Sequence, residues 1–145
     1  MPTIHVTRMI SAPLQHVWEY TRDFNGLPKW FPGVVDSHIE PGVAVNQPGC
    51  IRNFGLEGGP RIREKLLAIS EQDHSWNYTM VESPLPITNY VATVRLSAGN
   101  GTATLAEITS QFDVPPAQEK EIVGLLTNIY NGAFELLRHH FETSH

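Results

Sequence analysis

The chain has 145 residues, 41% of them hydrophobic, enough for one domain with a real core. A formal net charge of −5 and a pI near 5.7 argue against a nucleic-acid partner, because neutralising phosphates takes clustered Lys and Arg. The one cysteine, Cys50, rules out an internal disulfide and fits a reducing cytoplasm.

Residues 3–10 alternate, with Ile4, Val6 and Ile10 on one side and His5, Thr7 and Met9 on the other, which predicts a first strand. Ser11-Ala12-Pro13 then starts a helix whose apolar side is Val17, Trp18 and Tyr20. Asp23-Phe24-Asn25-Gly26 stops it, and 27–31 reads as a second short helical turn before Pro32-Gly33. Strands two and three are expected at 34–40 and 50–56, the latter with Arg52, Phe54 and Leu56 on one face. Gly58, Gly59 and Pro60 make a flexible turn. Strand four, 61–70, sets Ile62, Glu64, Leu66 and Ala68 against Arg61, Arg63 and Lys65, which should meet water. Strand five carries Trp76, Tyr78 and Met80 on one face, and Pro84-Leu85-Pro86 follows in a second proline-bearing loop. Strand six places Tyr90, Ala92, Val94 and Leu96 together. After the Gly99-Asn100-Gly101 hairpin signal, strand seven does the same with Ala106, Ile108, Ser110 and Phe112.

Beyond Pro115-Pro116 the period changes. Ile122, Leu126, Ile129, Ala133, Leu136 and Leu137 recur at helical spacing over 117–141, widened by Leu125, Tyr130 and Phe141. About 25 residues at 1.5 Å each make roughly 37 Å of helix, long enough to cross a small domain. Such a one-sided helix must bury its face, and the available partner is the concave side of a curved antiparallel sheet. The order β-α-α-β6-α is therefore that of an α+β helix-grip fold: seven strands around a long C-terminal helix, with two short helices after strand one. No linker or internal repeat divides it, so 1–145 is expected to be one domain.

No basic segment followed by an apolar run opens the chain, so no signal peptide is expected. No apolar stretch approaches the roughly 18 residues of a membrane span. His5, His16, His38, His74, His139, His140 and His145 lack HxH or HExxH spacing, so no metal is expected; no phosphate-cradling glycine loop appears, and no cofactor is expected.

The stretch VWEYTRDFNGLPKWFPGVVDSHIEPG at 17–42, then EKLLAIS, PLPITNY and the terminal IYNGAFELLRHHF, resemble the SRPBCC or START-like (Bet v 1-like) superfamily. Within it the chain is similar to the bacterial polyketide cyclase/dehydrase-like group, and the resemblance covers nearly the whole sequence. It departs at Ile108, where this group often has a tryptophan. The resemblance implies a cavity between sheet and final helix that takes hydrophobic molecules. It also implies that the loops at Gly58, Gly59, Pro60 and at Pro84, Leu85, Pro86 stand where the abscisic-acid receptors of the superfamily carry gate and latch. Thr88-Asn89-Tyr90 and the Glu64-x-Leu66 spacing look like theirs, but no lysine stands in strand two to meet a carboxylate.

The alternation supplies an expected lining: Phe54, Leu56, Ile62, Glu64, Leu66, Tyr78, Met80, Tyr90, Ala92, Ile108 and Phe112, capped by Leu126, Ile129, Tyr130 and Ala133. For any one of them plain core is the better reading, and the case for a pocket is collective. Small residues at Ala92, Ala106, Ser110 and Ala133 favour a void, because a solid core would fill those places with bulk. Arg52 and Glu64 share the apolar phase on neighbouring strands. They would form a polar floor for a ligand oxygen, or a structural ion pair, or, after a phase slip, a solvated pair. The leading expectation is a non-catalytic binder of a small hydrophobic, ring-containing molecule. The alternative is a cofactor-independent cyclase, dehydratase or lyase, with Arg52 polarising a carbonyl, Glu64 as acid or base and Tyr90 assisting. An interaction module is a third option, and association as a homodimer is left open.

Overall fold

A computed structural model describes residues 1–143, so His145 lies outside the described residues. The elements are β1 (Thr3–Ile10), α1 (Leu14–Thr21), β2 (Val34–Ile39), β3 (Ile51–Leu56), β4 (Arg61–Ser70), β5 (Ser75–Glu82), β6 (Thr88–Ala98), β7 (Thr104–Asp113) and α2 (Glu119–Thr143). Short 3-10 turns lie at Leu27–Lys29 and Pro116–Gln118. The strands form one antiparallel sheet in the order β1-β7-β6-β5-β4-β3-β2. The helix-grip expectation holds, with one change: a single helix follows β1, and the second is only the 3-10 turn. Pro28 lacks an N–H, and the turn closes with i→i+3 bonds from Lys29 to Gly26 and from Trp30 to Leu27.

The topology explains that segment. β1 and β2 are consecutive in sequence yet stand at opposite edges of the sheet, so residues 11–33 must travel the sheet's full breadth. They do so along one end, and bury Val17, Trp18, Phe24, Leu27 and Trp30 there.

Alternation holds along most strands. β6 buries Tyr90, Ala92, Val94 and Leu96, and β7 buries Ala106, Ile108, Ser110 and Phe112. In β4 a bulge between Leu66 and Ala68 shifts the register, so Ala68 pairs with Asn77 and is exposed, against the alternation expected for it. In α2 the buried residues are Ile122, Leu126, Tyr130, Ala133, Phe134 and Leu137. Leu125 and Leu136, expected on the buried stripe, are 42% and 43% exposed. The helix is turned so that Tyr130 and Phe134 point inward, and aromatic bulk seats it on the sheet.

The convex face of β2–β4 is charged. Both oxygens of Glu40 accept from Arg63, at 2.7 and 2.9 Å, and Asn53 donates to one of them at 3.1 Å. Chiefly through the Arg63 bonds, the Glu40 carboxyl is held down at about 2 against an ordinary value of 4.5. A lowered native pKa gives stability that is present above 4.5 and lost as pH falls toward 2. The urea midpoint of the native protein should therefore fall more steeply over that window than that of Glu40→Gln, and the two curves should converge near its acid end. Parallel curves would contradict the pairing.

Candidate functional site

A cavity of about 220 Å³ lies between the first half of α2 and the inner face of β3–β5. Ten of the expected lining residues are in its wall: Phe54, Leu56, Ile62, Glu64, Tyr78, Met80, Tyr90, Leu126, Ile129 and Tyr130. Pro84 and Leu85 of the β5–β6 loop also reach it. Gly58, Gly59, Pro60 and Pro86 do not, so only one of the two expected gate loops contributes to the wall. The remaining wall comes from Val34 at the start of β2, Leu125 on α2, and Leu27, Phe31 and Pro32, which lie in an irregular segment that strand alternation could not supply. Pro32 rests on α2 at Gly132, where an added Cβ would stand 3.1 Å from the proline ring.

Leu66, Ala92, Ile108, Phe112 and Ala133 do not line the cavity; they belong to the solid core. The small residues read as a sign of void are covered from the helix side. Tyr130 crosses to the sheet and donates to Ser110 Oγ at 3.1 Å, beside Ala92, the cross-strand partner of Ser110. Phe112 stacks on Tyr90 at 6.1 Å. The space that remains lies toward β3, β4 and the 27–34 segment.

The polar floor is one cross-strand pair. Arg52 and Glu64 are in direct register, 2% and 5% exposed. Arg52 Nε and Nη2 both donate to Glu64 Oε1, at 2.9 and 2.7 Å, and Nη1 donates to the Phe24 carbonyl at 3.2 Å. The guanidinium lies between the rings of Phe24 and Tyr78, 4.0 and 4.6 Å from their centroids. Glu64 lines the cavity; Arg52 stands behind it and is absent from the wall. Burial pushes the Glu64 carboxyl above the usual carboxylate range, opposed by the charge and hydrogen bonds of Arg52.

A hydroxyl chain closes the other side. The Tyr130 hydroxyl donates to Ser110 Oγ, so in its contact with Tyr130 the Tyr90 hydroxyl is the donor. Burial drives Tyr78 and Tyr90 well above 10 and Tyr130 to about 12, so all three are neutral phenols at neutral pH. Tyr130→Phe strands its two hydroxyl neighbours and should cost about 1–3 kcal/mol in urea unfolding. Adding Ser110→Ala should cost less than the two single changes summed, since both delete the same bond.

The sequence profile described as "Polyketide cyclase / dehydrase and lipid transport" matches residues 1–142. The chain belongs to this family. No curated protein matches it. Among solved structures, this polyketide cyclase/dehydrase family chain is similar to the protein XoxI from Bacillus cereus, at 24% identity and TM-score 0.90, covering 100% of this chain and 99% of that one. A Thermobifida fusca solution structure is similar at 25% identity and TM-score 0.89, covering 97% and 93%. Norcoclaurine synthase from Thalictrum flavum, solved with dopamine and hydroxybenzaldehyde, is similar at 18% identity and TM-score 0.77, covering 99% and 87%. That last likeness extends the shared fold to Bet v 1-like proteins. Among the described residues of this family member, no helix is long and apolar enough to cross a membrane. Nor, among them, do three His, Cys, Asp or Glu side chains group as metal ligands.

Proposed function

We propose that the chain binds a small hydrophobic, ring-containing molecule in the cavity and releases it unaltered, as a carrier or sensor. The observation that carries this is an apolar chamber in whose buried ion pair each guanidinium nitrogen is already engaged within the protein. Arg52 Nε, Nη1 and Nη2 are all engaged, and the guanidinium lies outside the wall, so it is badly placed to polarise a guest carbonyl. The phenols are too weakly acidic to serve as bases at neutral pH. The volume supports the ring assignment. A dry cavity of about 150 Å³ accepts benzene, and drug-sized ligands take about 300 Å³ or more, so 220 Å³ suits one or two fused rings. The norcoclaurine synthase structure was solved with ring compounds, in keeping with this choice.

The second reading, a cyclase, dehydratase or lyase, is favoured by the family description and by Glu64, a carboxyl of raised pKa at a cavity wall. One experiment separates the two. The protein is purified from a cell extract, its guest extracted and identified by mass spectrometry, and the compound returned to fresh protein. A binder gives back the same compound at unit stoichiometry after prolonged incubation. Conversion to a new product, of lower mass for a dehydratase or lyase or of equal mass and changed retention time for a cyclase, abolished by Glu64→Gln, would overturn the binder in favour of the enzyme.

A further inference from the structure

The cavity's polar end is built asymmetrically. Both guanidinium bonds to Glu64 land on Oε1, and among the described residues no hydrogen bond uses Oε2. The side-chain polar atoms sealed from solvent without a partner are Trp76 Nε1 and Asn77 Oδ1. Glu64 Oε2 is not among them, and Glu64 itself is part of the cavity wall. Beside it, Tyr90 gives its proton to Tyr130 and keeps its lone pairs. Among the described residues the floor therefore offers Glu64 Oε2 as an acceptor, with the Tyr78 and Tyr90 hydroxyls beside it.

Charge sharpens the choice. Among the described residues no Lys, Arg or His lines the cavity, and the nearby guanidinium is covered by Glu64 and two aromatic rings. A carboxylate guest would lose its hydration and meet Glu64 Oε2 with no free cation in exchange. A cationic guest would meet an ion pair whose net charge is zero, which is too little to offset its own desolvation. A neutral O–H meets neither penalty and satisfies the open oxygen with a charge-assisted bond.

Resting on the binder reading above, we infer that the guest is an uncharged, hydroxyl-bearing molecule of one or two fused rings, its O–H donated to Glu64 Oε2. Glu64 is then the residue that sets specificity, and Arg52 the positioning residue that turns Oε2 toward the guest.

The test is calorimetric titration at neutral pH with three probes of one shape: 2-methylnaphthalene, 2-naphthol and 2-naphthoate. The expected order is 2-naphthol about 10-fold tighter than 2-methylnaphthalene, from one charge-assisted hydrogen bond, with 2-naphthoate at least about 10-fold weaker than 2-methylnaphthalene. In Glu64→Gln the Arg52 charge loses its partner, so 2-naphthoate gains on 2-naphthol and the order of these two reverses. The wild-type ratios decide by themselves even where that variant folds poorly. If 2-methylnaphthalene binds but the three affinities are equal, or 2-naphthoate is tightest, the hydroxyl assignment is wrong and the binder reading stands. If none of the three binds, both are overturned.

Discussion

Arg52→Met is expected to destabilise the protein by about 3–5 kcal/mol, the usual cost of removing one partner of a buried ion pair. The effect should be large because Arg52 makes every hydrogen bond that Glu64 Oε1 receives among the described residues. Its guanidinium also fills the gap between Phe24 and Tyr78. Without it, Glu64 remains at 5% exposure with no counter-charge. The loss should depend on pH in a defined direction. Burial already raises the native Glu64 pKa, and removing Arg52 raises it further. A raised native pKa leaves stability intact below the unfolded value and removes it as pH rises through the native one. The variant should therefore come closest to wild type under mild acid and fall furthest behind at neutral pH and above. Arg52→Met with Glu64→Leu should recover most of the loss, because an apolar pair of similar volume replaces a buried ion pair at little cost. Urea titrations of the three proteins across pH check both statements. A single-variant loss below about 1 kcal/mol at neutral pH would mean that Glu64 is solvated or already protonated.

Ile129→Trp should abolish guest binding, weakening 2-methylnaphthalene by about 100-fold or more, which is about 2.7 kcal/mol. Ile129 lines the cavity from α2, as Ile62 and Phe54 do from the sheet, and an indole there takes up much of the 220 Å³. The void receives the added bulk, so the fold should lose less than the roughly 1–3 kcal/mol typical of an overfilled core. Leu136→Trp is the control. It lies two turns further along the same helix, is 43% exposed and stands outside the cavity, so binding should be unchanged. Equal affinities in wild type and Ile129→Trp would place the guest elsewhere.

The strands could be read because alternation is a local property, and the polar floor followed from them. Arg52 and Glu64 share the apolar phase on adjacent antiparallel strands, and the structure pairs them in register. Two local rules failed where tertiary geometry took over. The β4 bulge reversed the face of Ala68, and nothing in RIREKLLAIS marks where an extra residue enters a strand. The rotation of α2 exposed Leu125 and Leu136 and buried Phe134, because an apolar stripe this wide leaves the helix's angle to be set by aromatic packing.

The cavity itself was half visible. Its sheet and helix walls follow from periodicity, but Leu27, Phe31 and Pro32 come from an irregular segment positioned by the crossing from β1 to β2. The apolar density of LPKWFP, too high for a solvated loop, was the available signal. The small residues misled in the opposite direction. Ala92 and Ser110 make room for Tyr130, not for a guest.

The central claim is that the sheet and the front half of α2 enclose a space that a small ring molecule fills. With methyl-labelled protein and 2-methylnaphthalene, intermolecular NOEs should connect the guest to the methyls of Ile62, Leu126 and Ile129 together. Direct Ile62-to-Ile129 methyl NOEs in the free protein, with none to the guest, would mean that the chamber is closed and the account wrong.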